Sequence, residues 1–289
     1  DRFGATLVIH DYADPPRPPD LLLEALLPPL QARLALTAVV HKPRRAATPE
    51  LRRGAVIWGG PPARRLVEDG GRYALDLLLA RDAGFFLDTR HLRAWARTEL
   101  GGGRVLNAFA YTGSLGVAAA LGGAAAVVHL DRSRAFLNVA KESYALNGLP
   151  VRRADFLTGD FFALTAQMKR QGRLFDAALL DPPVVAGDAY RGRVDLQAGQ
   201  TALLNKLRPL LADGGRIAVV NNAIFLSGRD FLAELAALGA DGYLTVERLL
   251  PVPADFCGVP RRPLPADPSP FNHSTKIAIL RVRRKDGAR

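Results

Sequence analysis

Past about residue 100 the chain repeats one pattern, a short unbroken apolar run that stops at a polar residue, followed by a stretch with apolar positions at helical spacing. The runs are VLNAF with Asn107, VVHLD ending at Asp131, VRRADF with Asp155 and AALLDPP with Asp181. Unbroken apolar strands suit a sheet covered by helices on both faces, so the order reads βαβαβαβ and the sheet as open and parallel. Ligands of such sheets lie across the carboxyl ends of the strands, where these polar residues fall. LRPLLADGGRIAVVNNA predicts a turn at Gly214-Gly215 and then a further strand. A helix from about Gly228 to Leu238 and two β-rich segments, YLTVERLLPV and STKIAILRVRR, follow it.

The earlier part of the chain has a different texture. DPPRPPD is followed by an amphipathic helix from about Leu21 to Ala35 and by short strands in TAVVHK and GAVIWGG. GRYALDLLLARDAGFFLD reads as a strand, a turn and an entry into the larger part, which divides the chain near Ala80 to Gly84. The expected organisation is a small α/β region over residues 1–82 and a catalytic α/β domain over residues 83–289. There is no internal repeat or heptad series, and the tail RRKDGAR is expected to fray.

The chemistry is concentrated in VLNAFAYTGSLG, residues 105 to 116, and in Asp131 downstream. A buried strand, a tight glycine turn into a helix and then a strand-end carboxylate about twenty residues on make a nucleoside site, because the carboxylate accepts both ribose hydroxyls. A dinucleotide fingerprint would need another glycine where Tyr111 stands before Gly113 and Gly116. The Tyr111 side chain obstructs the close backbone approach to a pyrophosphate that glycine permits. A nucleoside without phosphates fits better, and S-adenosyl-L-methionine is the common cofactor of that description. Any single strand-end Asp can be a helix cap or turn former; three at successive strand ends point to a site.

Four segments carry a family resemblance: DAGFFLDTR at 82 to 90, LNAFAYTG at 106 to 113, LDPP at 180 to 183 and DPSPFNHSTKIAILRVRRK at 267 to 285. Together they resemble the class I S-adenosylmethionine-dependent methyltransferases grouped with the bacterial 23S rRNA large-subunit enzymes, which modify cytosine at C5 or guanine at N7. The resemblance runs from about Gly70 to Lys285 and implies a Rossmann-like seven-stranded methyltransferase sheet. It also implies that Phe109, Tyr111, Thr112 and Gly113 line the methionine side of the cofactor, beside Asn107. Asp131, with Arg132 next to it, would hold the ribose; Asp155 and Phe156 would flank the adenine; Asp181, Pro182 and Pro183 would face the transferred methyl. In this family a small region before the catalytic domain helps hold RNA; a lid over the sheet edge is the alternative for residues 1–82.

Charge and cysteine count narrow the setting. The 289 residues carry 39 basic and 28 acidic side chains, a formal charge of +11, which favours polyanions and makes RNA, ribosomal RNA first, the expected partner. The arginine pairs at 44–45, 52–53, 64–65, 152–153 and 261–262 and the basic run from Arg281 to Lys285 are dispersed, and each taken singly is a solvated patch. There is no apolar run of about 18 residues, so no membrane span is expected. One cysteine excludes an internal disulfide and a cysteine-based zinc site, no metal is expected, and a cytoplasmic location is the simple inference. The chain opens on Asp1 rather than Met, which leaves room for an upstream module, and oligomeric state is not legible.

Methyl transfer from a sulfonium is an in-line displacement on an activated carbon, so alignment and exclusion of water are the main requirements. Asp181-Pro182-Pro183 suits this: the prolines fix the backbone, and the Asp carboxylate accepts a hydrogen bond from an amino group. Val184 and Val185 follow where exocyclic-amine methyltransferases place an aromatic, leaving base stacking to Phe225, Tyr190 or Phe256. Methylation at cytosine C5 would need a thiolate, and only Cys257 in PADFCGVP could supply it; the alternative is a small buried filler, with methylation at a nitrogen. Arg90 is placed to reach the cofactor carboxylate or to pair with Asp88. His273 can orient a substrate, or Asn272, His273 or Ser274 can cap the last strand, and Asn221 and Asn222 can read a base edge or form a turn. Two rival functions remain: methylation of a small molecule or protein, and RNA binding on the same fold without catalysis.

Overall fold

The computed structural model describes residues 1–183, 196–257 and 268–284. Val184, Val185, Tyr190, Arg261, Arg262 and the closing stretch from Lys285 lie outside the described residues. The chain divides into two compact units, Asp1–Phe86 with Ala145–Asn147 and Leu87–Tyr144 with Gly148–Arg289.

The first unit is built on β1 (Arg2–Phe3), β2 (Thr6–Asp11), α1 (Pro19–Leu34), β3 (Ala38–Pro43), α2 (Pro49–Arg53) and β4 (Ala55–Gly59). Its sheet runs β1-β2-β3-β4, with β2 and β3 parallel and the other pairs antiparallel; β5 (Arg65–Glu68) and β6 (Gly71–Ala74) make a separate hairpin. The expected helix and the two expected strands are α1, β3 and β4. β2, with its TLVIHD alternation, was not among the expected elements. Asp11 at its end accepts from the backbone of Ala13 (2.9 Å) and Arg17 (2.7 Å) and so ties down the Pro-rich segment. Fully buried Lys42 donates to the carbonyls of Arg53 (2.7 Å) and Ala80 (2.9 Å), and burial lowers its pKa to about 8.

The second unit contains α3 (Arg90–Glu99), β7 (Arg104–Ala108), α4 (Ser114–Leu121), β8 (Ala126–Asp131), α5 (Arg134–Leu146, reaching into the first unit), β9 (Phe156–Thr158), α6 (Phe161–Arg170), β10 (Phe175–Leu180) and α7 (Leu196–Leu207). It continues through β11 (Leu211–Asn221), α8 (Gly228–Leu238), β12 (Leu244–Leu250), α9 (Ala254–Cys257) and β13 (Lys276–Val282). The seven strands lie in the order β12-β13-β11-β10-β7-β8-β9, parallel from β11 to β9, with β13 antiparallel between β11 and β12. Neighbouring residues of one strand enter different cores: Leu106, Val128 and Ala178 pack with Phe161, Leu204 and Phe231, whereas Val105, Val127 and Ala177 pack with Leu92, Trp95 and Leu115. Both faces are therefore dry, which is why the strands read as unbroken apolar runs.

VRRADF is not a strand: residues Arg153–Asp155 form a 3-10 turn and β9 begins only at Phe156. The paired arginines are exposed, so β9 is confined to the apolar FLT. Nor does Gly214-Gly215 form a turn before a strand, since β11 is continuous through it. Its register against β10 steps from Phe175↔Leu211 to Ala177↔Arg216, and Gly214 takes φ 72°, so the extra residues are absorbed as a bulge.

Candidate active site

The turn between β7 and α4 lies at the carboxyl end of the sheet and has an unusual backbone. Phe109 (φ 56°), Tyr111 (φ 51°) and Gly113 (φ 81°) are left-handed in alternation, and two of the three carry large side chains. A left-handed non-glycine residue costs about 1–3 kcal/mol and persists where its surroundings over-determine it. Here the surroundings are specific. Ala110 N–H donates to the Leu130 carbonyl (2.9 Å), Tyr111 N–H to Asp131 Oδ2 (2.8 Å), and the Tyr111 ring meets Phe136 edge-on at 4.4 Å.

Beneath the turn lies a buried polar chain. Asn107 Nδ2 faces His129 Nδ1 at 3.3 Å, and His129 Nε2 lies 3.0 Å from the Tyr144 hydroxyl. Burial lowers the His129 pKa to about 3, so the ring is neutral, accepting at Nδ1 and donating at Nε2. Phe156 stacks on it at 4.9 Å, with the ring planes 1° apart. The glycines let α4 descend onto this layer: a Cβ at Gly116 would stand 2.5 Å from His129 Cε1, and one at Gly113 would stand 2.5 Å from the Ala140 Cβ. Asn107 and Phe156, both expected against the cofactor, have buried side chains engaged with His129.

Three carboxylates occupy successive strand ends. Asp131 closes β8; its Oδ1 accepts from Ser133 N–H (2.8 Å) and its Oδ2 from Tyr111 N–H, and the Arg132 N–H is a third backbone donor to the carboxylate, which has about four acceptor sites in all. Burial raises its pKa against the opposing pull of these backbone donors. Past β9 the strand-end acid is Asp160, not Asp155, which precedes the strand. Asp160 caps α6, taking both cap bonds on Oδ1, from Phe162 (3.0 Å) and Ala163 (3.1 Å). Phe161 beside it is buried and stacks on Phe109 at 5.0 Å. GDFF at 159 to 162 carries a helix N-cap signal that could have located this residue.

Asp181 follows β10. Burial, reinforced by the nearby Asp88 and opposed by a hydrogen bond from Asn222 Nδ2 (3.0 Å to Oδ1), pushes its pKa up to about 7. Asp88 in turn accepts from Thr275 Oγ1 at 2.7 Å across 187 residues of chain. Asn221 ends β11, donates to Gln200 Oε1 (2.7 Å) and accepts from Ala223 N–H (3.0 Å), a turn role, whereas Asn222 is directed to Asp181. Pro182 is half-buried and Pro183 exposed.

The remaining expected residues flank these acids or support the loops around them. Arg90 forks onto Asp255 through both guanidinium NH2 groups, and Arg132 is exposed. Thr112 is buried in the turn. Cys257 ends α9 with its Sγ 3.9 Å from the Val252 carbonyl, and burial together with Asp255 and Asp88 pushes the thiol up, away from thiolate. His273 Nδ1 accepts from Thr275 N–H (3.1 Å), and Asn272 clamps the backbone of Val252 through both of its amide atoms; these contacts support β13 and the loop after β12. Among the described residues no group of three or more His, Cys, Asp or Glu is placed to hold a metal ion.

A strand-end acid, a left-handed turn beside it and further acids at the next strand ends define a class, that of α/β proteins holding a nucleoside without phosphates across the sheet's carboxyl edge. The donor set fits S-adenosylmethionine: the strand-end Asp131 carboxylate offers an acceptor to the ribose hydroxyls, and Tyr111 stands in the turn where a pyrophosphate would need glycine. The chain matches the S-adenosylmethionine-dependent methyltransferase family over residues 47–263 and belongs to it. It is 37% identical to ribosomal RNA large subunit methyltransferase I of Serratia proteamaculans over 163 residues, 54% of this chain and 41% of that protein. With ribosomal RNA large subunit methyltransferase K/L of Shewanella pealeana it shares 32% over 249 residues, 84% of this chain and 34% of that protein. The match thus spans well under half the length of either relative. SMU.776, described as a methyltransferase and solved with SAH, shares the fold at TM-score 0.80 and 20% identity, over 97% of this chain and 70% of its own.

Proposed function

We propose that this protein transfers a methyl group from S-adenosylmethionine to a base of large-subunit ribosomal RNA, in the cytoplasm. The observation that carries the reading is Asp181: a carboxyl at the sheet's carboxyl edge, pushed up to about 7 and held by Asn222, one strand from the turn that suits the cofactor. The two curated relatives are named for large-subunit rRNA, and the charge of +11 favours a polyanion.

The bound cofactor supplies an activated methyl carbon. Asp131 accepts the ribose hydroxyls; Phe109, Tyr111, Thr112 and Gly113 line the methionine side; Asp160 and Phe161 take the adenine side first expected of Asp155 and Phe156. Asp181, ionised, accepts a hydrogen bond from an amino group of the target base and turns the nucleophilic nitrogen toward the methyl. Asn222 orients its carboxyl, and Pro182 and Pro183 stiffen the backbone behind it. The Cys257 thiol, set against the Val252 carbonyl and pushed up by burial, supports methylation at a nitrogen over the covalent C5 route. Residues 1–82 serve as the RNA-holding part. Mass spectrometry of rRNA from cells with and without the gene tests the reading: one methylated base should disappear from large-subunit rRNA. An unchanged rRNA, with no transfer to an unmodified transcript, would overturn it.

A further inference from the structure

The loop after β11 holds two large apolar side chains in solvent. Ile224 is 83% exposed and Phe225 66%, and among the described residues no other adjacent pair of large apolar side chains is so exposed. Single exposed apolar residues are ordinary; an adjacent pair on a fixed base is not. The base is fixed on every side. Asn222 donates to Asp181, Lys276 Nζ donates to the Ala223 carbonyl (3.0 Å), Ala223 is buried, Leu226 packs on the core, and Ser227 caps α8 by accepting from Asp230 N–H (3.0 Å). The loop therefore cannot turn its two apolar side chains inward without breaking the contacts that hold Asp181.

We propose that Ile224 and Phe225 form a stacking platform for an unpaired base of the RNA substrate that flanks the base presented to Asp181. The proposal rests on the RNA reading above. Three residues of chain span at most about 11 Å, so Phe225 stands within reach of a nucleotide next to the one at Asp181. Every base offers a π face to an aromatic ring, the protein carries +11, and Arg229 is exposed in the first turn of α8 beside the pair. A second protein copy would be an alternative occupant, and it is decided by the same variants.

The test compares Phe225→Ala, Phe225→Tyr and Ile224→Ser with wild type for methyl incorporation into an unmodified 23S rRNA transcript, cofactor affinity by calorimetry, and oligomeric state by sedimentation. Loss of one stacked base predicts a fall of roughly 5- to 100-fold in kcat/KM for RNA in Phe225→Ala. Phe225→Tyr should return to within about threefold of wild type, and Ile224→Ser should lie between; cofactor affinity and sedimentation should be unchanged. A Phe225→Ala protein as active as wild type on the transcript would overturn the platform and leave the RNA reading standing. So would a shift of oligomeric state in the variants. A wild type that methylates no RNA would overturn both.

Discussion

The two edges of the seven-stranded sheet carry acids in opposite condition. At the amino edge Glu247 meets Arg216 (3.2 Å) and Arg281 (3.1 Å), Glu99 lies 3.6 Å from both Arg216 and Arg248, and Asp176 accepts from Arg104 N–H (2.7 Å). Partial burial alone would push Glu247 up, but the two guanidiniums outweigh it and hold its carboxyl below the usual range. At the carboxyl edge burial wins: Asp131 and Asp181 are both raised, and no cation is among the groups that act on them. Paired acids hold strands together, while raised acids without a cation mark the edge at which the proposed function places its ligand. Cavity volume would mislead here, because a space of about 200 Å³ lined by Glu99, Val105, Asp176 and Arg216 lies at the amino edge. Its charges already have partners.

The largest effect that would sharpen this contrast is expected of Asp181→Ala, with kcat on RNA falling by about 100-fold or more through lost alignment, and cofactor affinity changing little. Single-turnover methylation together with calorimetry separates the two quantities. A variant that loses cofactor affinity and turnover equally would place Asp181 in cofactor binding instead.

The Asp181 pKa is raised from an ordinary 3.8 to about 7, so the stability it contributes is fully present below the ordinary value and is lost as pH rises through about 7. The ionised form is the acceptor, so kcat/KM should rise over the same window in which thermal stability falls. Asp181→Asn should flatten the stability profile between about pH 5 and 8. Opposite slopes in wild type and a flat variant are the expected signature in melting and rate measurements, and parallel slopes would break the account.

A smaller effect belongs to the layer under the turn. Gly116→Ala drives a methyl against His129, and overpacking of this kind costs about 1–3 kcal/mol. Urea denaturation should register that loss, with weaker cofactor binding if the turn is displaced. The smallest effect is expected of Cys257→Ala, which should retain most of its turnover and give no covalent adduct with 5-fluorocytosine RNA. Abolished turnover in a folded variant, with an adduct in wild type, would restore the C5 route.

Much of this arrangement was legible in the chain. The apolar runs at 105, 127 and 177 revealed the parallel sheet because both of its faces are buried, and the polar residues that end them located the edge used for chemistry. Asp155 misled because VRRADF resembles a strand by composition; the exposed arginines form a turn, and the strand-end acid is five residues further on. The chain offers Asp88 only as a partner for Arg90, since its bond to Thr275 joins residues distant in sequence. Gly214 and Gly215 suggested a turn by their type alone, whereas the neighbouring strand holds them in the sheet as a bulge. The contacts of Asn107 and Phe156 with His129 are not legible in the chain, because they join residues of neighbouring strands.

The difference between the two edges is tested most directly by titrating S-adenosylmethionine calorimetrically into Asp131→Ala and Glu247→Gln beside wild type. Loss of two charge-assisted hydrogen bonds to ribose, at roughly 1.5–3 kcal/mol each, should weaken binding by about 100-fold or more in Asp131→Ala. Glu247→Gln should bind as wild type does and lose about 1 kcal/mol of stability or less. Unchanged cofactor affinity in folded Asp131→Ala protein would contradict the account.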